Sequence, residues 1–414
     1  MAINKVFAVF FVFCVALTSA HVISAEQEEM DRENLQKLSL ANNELAFNLH
    51  RRLASRSSDN VFFSPLSVST AFGMLFYGTR GNTAQELRQA LGFEKADLPS
   101  DLVHETFSRF LREVLKNEDS SAGYVLKAAN AVLVDKHLEL REDYKDDVQE
   151  LYRAVVRDVD FSTEAPKIVE EINEWVREKT NGKIEKLLDE LSPSTILVLL
   201  NAVYFKGTWK IEFDREDTRD QIFYNYGLEA NGKRISLMHM TEKLPFAKFE
   251  NFQALELPYK GENVSMLILL PDQRDGLQSL EENLTPEKLA DVQRQLYSKE
   301  VDVSLPKFKL EFQEELSEDM KALGANEIFR AGSADFSGMT PSRDVFVSQV
   351  VHKAVIEVNE EGSEAAAVTG IISNRMGLIE ERLEFTADHP FLFAILEKGS
   401  RSNMILFLGR VNNL

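Results

Sequence analysis

At 414 residues, with 44% hydrophobic and 28% charged residues, the chain has the composition of a globular protein with a large core. Its net charge of −20 argues against non-specific binding to nucleic acid or to anionic membranes, because both want a basic surface.

The first element is a leader. Lys5 precedes the apolar run Val6 to Leu17, and Thr18-Ser19-Ala20 supplies small residues, the layout of a secretory signal peptide cleaved after Ala20 or after Ala25. About twelve apolar residues are too few to cross a bilayer, which takes roughly 20. The expectation is residues 1–25 as leader and 26–414 as one domain of a secreted, extracellular protein. The only cysteine, Cys14, lies in the leader, so packing rather than a disulfide must stabilise the rest. Asn263 and Asn283 head sequons that would accept glycans in that compartment, the second weakened by Pro286.

Downstream, Leu38, Ala41, Leu45, Leu49 and Leu53 recur at helical spacing and predict an amphipathic helix over residues 32–54. Helices are also expected over 65–77, 83–91, 101–116 and 166–180. The apolar, β-branched run 195–205 reads as a strand buried on both faces, as do 264–270 and 404–408. Over 301–312 the apolar residues alternate, and the phase slips by one at Pro306, which suggests a bulge or an edge. Strands mixed with helices, without regular βαβ spacing, favour an α+β fold. Between Val358 and Phe385 small residues give way to a stretch of no periodicity, and a loop this long is usually functional.

No enzyme motif emerges. There is no Gly-x-Ser-x-Gly elbow and no histidine pair of the His-Glu-x-x-His kind. Asp272 to Gly276 fails as a calcium loop because Arg274 occupies a ligand position. The expectation is no enzyme, no cofactor and no metal.

A run of motifs in fixed order carries a resemblance. Asn60-Val61-Phe62-Phe63-Ser64-Pro65-Leu66-Ser67 is followed by Gly78-Thr79-Arg80-Gly81-Asn82-Thr83. Ile172-Asn173-Glu174-Trp175-Val176, Leu200-Asn201-Ala202-Val203-Tyr204-Phe205-Lys206-Gly207-Thr208-Trp209 and His352-Lys353-Ala354 follow, then Glu360-Glu361-Gly362-Ser363-Glu364-Ala365-Ala366-Ala367 and Asp388-His389-Pro390-Phe391. From about residue 40 to its end the chain resembles the serpins, in the style of secreted arthropod serpins including those of ticks.

The resemblance implies one α+β domain with three β-sheets, eight to nine helices and an exposed reactive-centre loop at about 360–385. A serine protease that cleaves the loop is trapped as an acyl-enzyme when the loop inserts into the main sheet. By the same resemblance Ser64, Ser67, Asn201 and His352 match the shutter beneath that sheet, and Trp209 the breach where the loop enters. Glu360 and Lys307 match a hinge salt bridge, and Trp175 reads as ordinary core. Gly362, Ser363, Glu364, Ala365, Ala366 and Ala367 form the hinge. An inserted strand would bury Ser363, Ala365, Ala367, Thr369, Ile371 and Ser373, mostly small and none charged, with Glu364 facing solvent. The alternative is a non-inhibitory serpin acting as ligand carrier or chaperone.

The family's usual loop length places the reactive bond after Met376, before Gly377, or one residue earlier, after Arg375. Met376 suits the apolar pocket of chymotrypsin-like proteases, and Arg375 the acidic pocket of trypsin-like ones. The remaining expectations are a monomer with no nucleic-acid, membrane or glycosaminoglycan partner. On the 101–116 helix Arg109, Arg112 and Lys116 are interleaved with Asp101, Glu105 and Glu113.

Overall fold

The computed structural model describes residues 2–115, 123–361, 383–399 and 402–414, with side chains from residue 26 onward. Among the described residues the helices are α1 (Ala2–Arg56), α2 (Pro65–Gly78), α3 (Gly81–Ala90), α4 (Ser100–Val114), α5 (Glu142–Tyr152), α6 (Phe161–Lys179), α7 (Leu277–Asn283), α8 (Pro286–Arg294) and α9 (Ser317–Ala322). The strands are β1 (Val61–Phe63), β2 (Tyr124–Asp135), β3 (Val155–Val159), β4 (Leu197–Gly207), β5 (Arg219–Tyr224), β6 (Gly232–Lys248) and β7 (Phe252–Pro258). They continue with β8 (Val264–Pro271), β9 (Tyr297–Pro306), β10 (Phe308–Glu315), β11 (Gln349–Val358), β12 (Leu383–Thr386), β13 (Phe391–Glu397) and β14 (Met404–Val411).

The five-stranded sheet runs β10-β11-β4-β2-β3. The nine-stranded sheet runs β1-β14-β13-β8-β7-β6-β9-β12, with β5 added on β6. Two of the three expected sheets are thus continuous through β6, which pairs β5 at its start, β9 along its middle and β7 at its end.

The buried strand expected over 195–205 is β4, and its alternation explains why its apolar run is unbroken. Leu197, Leu199, Val203 and Phe205 enter the main core shared with α1, α2 and the nine-stranded sheet. Val198, Leu200, Ala202 and Tyr204 enter a second core under α6. Both faces are covered, so no position calls for a polar residue except where a bond needs one.

The phase slip at Pro306 is neither a bulge nor an ordinary edge. β9 and β10 belong to different sheets, and the chain crosses between them at Lys307. Proline ends one ladder, and the next strand starts its own alternation against a different core. The helix expected from residue 166 begins five residues earlier. Asp160 caps it by accepting the Thr163 N–H at 3.1 Å, and Pro166 sits inside α6.

Leu38, Ala41, Leu45, Leu49 and Leu53 are all buried, as their spacing required. The helix that carries them is longer than expected: α1 continues back to Ala2 without interruption. Among the described residues no helix is long and apolar enough to cross a membrane.

Candidate functional site

The site is the junction of β11 with β4. These strands are parallel, from Gln349 opposite Val198 to Ile356 opposite Phe205, and each has an antiparallel neighbour on its other side. β11 ends at Val358 and leads through Asn359, Glu360 and Glu361 to residue 362; the chain is described again from β12, which pairs in parallel with β9. A strand that doubled back from β11 and entered between β11 and β4 would run antiparallel to both.

Beneath the middle of this pair lies a row of polar residues. Register places His352 opposite Asn201, and Asn201 opposite Asn130. All three have the strand parity that faces α2. Ser64 meets them there because its sequence builds a helix start: its hydroxyl accepts the Ser67 N–H at 3.1 Å, and Pro65 takes the first helical position. The same hydroxyl donates to the Leu406 carbonyl at 2.7 Å, tying α2 to β14.

Donor and acceptor roles fix the protonation of His352. The Ser64 backbone N–H can only donate, and it points at His352 Nε2 at 3.3 Å. Nε2 is therefore bare, and the proton sits on Nδ1, which donates to Asn201 Oδ1 at 2.5 Å. The Asn201 amide in turn donates to Asn130 Oδ1. Burial pushes the imidazole down to about 3. A second proton would also have to point at the Ser64 N–H.

The upper end of the pair carries a second cluster. The Trp209 indole N–H donates to the Asn359 carbonyl at 2.9 Å, and its backbone N–H to Glu361 at 3.3 Å. Its ring stacks on Tyr259 with centroids 4.5 Å apart and an 8° tilt. A Cβ at Gly207 would fall 2.3 Å from the Tyr259 ring, so glycine there permits the stack. Glu360 is buried, with Lys307 Nζ at 2.8 Å and the Thr218 hydroxyl donating at 2.8 Å. Burial pushes the Glu360 carboxyl up, but the bonds from Lys307, its own N–H and Thr218 outweigh it and hold it below the usual carboxylate range. Arg215 pairs with Glu361.

The structure therefore brings Ser64, Ser67, Asn201 and His352 together in one cluster, and Trp209, Lys307 and Glu360 in another. Trp175 is partly buried against the core under α6. Gly362, Ser363, Glu364, Ala365, Ala366, Ala367, Arg375, Met376 and Gly377 lie outside the described residues. Asn263 and Asn283 are both exposed. On α4, Arg109 is held by Glu105 at 2.6 Å and by Asp31, a mixed face as its sequence suggested. Sequence reasoning missed Asn130, Thr218 and Tyr259. Asn130 did leave a signal, as a lone amide inside the apolar run Ala128 to Val134.

Comparison with known proteins matches residues 40–414 to the family model described as Serpin (serine protease inhibitor). Iripin-2 of Ixodes ricinus is 41% identical, with 96% of this chain and 98% of the relative covered. Intracellular coagulation inhibitor 2 of Tachypleus tridentatus is 40% identical over 97% and 96%. Leukocyte elastase inhibitor of Equus caballus is 41% identical over 92% and 100%. Among solved structures, human thyroxine-binding globulin superposes with a TM-score of 0.82 at 31% identity, covering 92% of this chain and 99% of that one.

These relatives correct the expectation of a secreted, extracellular protein. One of comparable similarity across nearly its whole length is named an intracellular inhibitor. Helix α1 runs through residues 6–17, the apolar run on which that expectation rested.

Proposed function

We propose, from the premise that this chain belongs to the serpin family of protease inhibitors, that it traps a serine protease irreversibly by cleavage of the loop at about 360–385 and insertion of the part that precedes the cleaved bond. The family model is described as a serine protease inhibitor and a relative is named an elastase inhibitor, which supports a target protease as the partner. One observation supports the mechanism: β11 pairs in parallel with β4, and the sequence a few residues beyond its end is rich in small residues. The entering strand would bury Ser363, Ala365 and Ala367, which are small enough to pass between separating strands without overpacking. The bait is Met376 or Arg375.

The test is incubation with trypsin and, separately, with chymotrypsin, followed by denaturing gels and mass spectrometry of the released C-terminal peptide. A denaturant-resistant complex with a peptide beginning at Gly377 assigns Met376 as the bait, and one beginning at Met376 assigns Arg375. Ser363→Arg puts a charge on the buried set and should turn the inhibitor into a substrate. Undiminished trapping by that variant would overturn insertion.

A non-inhibitory carrier is the other reading, favoured by the likeness to thyroxine-binding globulin, whose solved structure is a complex with thyroxine. Nicking the loop separates the two: an inserting protein gains thermal stability strongly, and a carrier without insertion does not.

A further inference from the structure

A pocket of about 560 Å³ opens between the C-terminal end of α2, α3 and the first turn of α4, away from both clusters of the inhibitory machinery. Its size falls in the range of small-molecule sites. One wall is aromatic and held rigidly. The Tyr77 and His104 rings meet edge-on at 87° with centroids 4.8 Å apart, and Phe76 lies 5.5 Å from His104. The Tyr77 hydroxyl donates to Asp147 at 2.5 Å, and His104 Nδ1 is bonded to the Tyr152 hydroxyl at 2.6 Å. Burial, and then the Arg80 charge, push His104 down to about 4, so the ring facing the pocket is neutral at pH 7.

The rim carries charges of both signs that do not pair with one another. Arg88 donates to the Ser100 hydroxyl at 2.9 Å, and among the described residues neither it nor Glu94 nor Asp101 forms an ion pair. Arg80 also lines the pocket, with its guanidinium donating to the Tyr77 and Thr79 carbonyls. An aromatic wall with Arg88 and unpaired carboxylates on its rim complements a ligand with a ring, a carboxylate and an ammonium group.

We propose that this pocket binds a free aromatic α-amino acid, its ring against Tyr77 and His104, its carboxylate on Arg88 and its ammonium toward Glu94 and Asp101. The site is independent of protease trapping and is tested without a protease.

The experiment is calorimetric titration of the full chain at neutral pH with L-tryptophan, tryptamine, indole-3-propionate and L-alanine. One saturable site for tryptophan is expected, with each half-ligand at least about tenfold weaker and alanine giving no heat. Arg88→Ala, a rim change that spares the core, should weaken tryptophan and indole-3-propionate about tenfold and leave tryptamine unchanged. His104→Leu should weaken all three indoles. Absence of saturable heat up to about 10 mM tryptophan, about tenfold beyond a millimolar Kd, would overturn the site. Tryptamine binding as tightly as tryptophan, or an unaltered tryptophan affinity in Arg88→Ala, would overturn the assignment equally.

Discussion

The two clusters along the β11–β4 junction are built from different chemistry. The lower one, around His352, is buried, neutral and bonded donor to acceptor across three strands and the start of α2. The upper one, around Glu360 and Trp209, combines an ion pair whose lysine is 40% exposed with a stacked aromatic pair. A neutral buried network is strong only when complete, because each orphaned group costs its full desolvation. A half-exposed ion pair is weakened by water and can be broken cheaply. The junction is therefore stitched firmly beneath its middle and fastened lightly at its end, apart from Trp209. An entering strand would meet the light fastening first.

The sharpest probe is Trp209→Ala. It removes the stack on Tyr259 and the bond to Asn359, and should cost about 3–5 kcal/mol in denaturant-midpoint measurements. A loss under about 1 kcal/mol would mean that the upper end of the junction is not held by this ring.

Asn201→Ala comes next. It strands the His352 N–H and the Asn130 carbonyl oxygen inside the core, and about 2–3 kcal/mol should be lost. The contrast between the clusters fails if this variant is no less stable than Lys307→Ala. That change, at the exposed partner of Glu360, should cost about 1 kcal/mol because Thr218 still donates to the carboxylate.

The pH dependence separates the clusters without comparing energies. His352 is held at about 3 against an ordinary 6.5, so on acidification the unfolded chain takes up this proton first. Its contribution is full above pH 6.5 and is lost as pH falls toward 3. Glu360 lies below its ordinary 4.5, so its contribution is full above pH 4.5 and is lost only at lower pH. His352→Asn should flatten the slope of stability between pH 6.5 and 4.5, and Lys307→Ala should leave that window alone. His104 and His239 titrate with the same sign, so the slope shrinks rather than vanishes. An unchanged slope in His352→Asn would show that His352 tolerates a charge in place.

The smallest effect is expected from Arg215→Ala. It frees Glu361 from an exposed partner and should shift stability by less than about 0.5 kcal/mol. A larger loss would make the upper fastening heavier than its exposure implies.

Local information was enough for much of this protein. The Ser64-Pro65 helix start, the stripe from Leu38 to Leu53 and the doubly buried run of β4 follow from capping, 3.6-residue periodicity and alternation, which act over a few residues. The ordered motifs contain Ser64, Asn201, His352, Trp209 and Glu360, and the family resemblance added Lys307. Tertiary structure decided what these residues touch. Thr218 carries no local signal, because its worth comes from Glu360, 142 positions away. The slip at Pro306 reads as a bulge until the two halves are seen in separate sheets, since periodicity records which way a side chain points and not which core receives it. Register, set by the packing of both cores, alone aligned Asn130, Asn201 and His352 into one row.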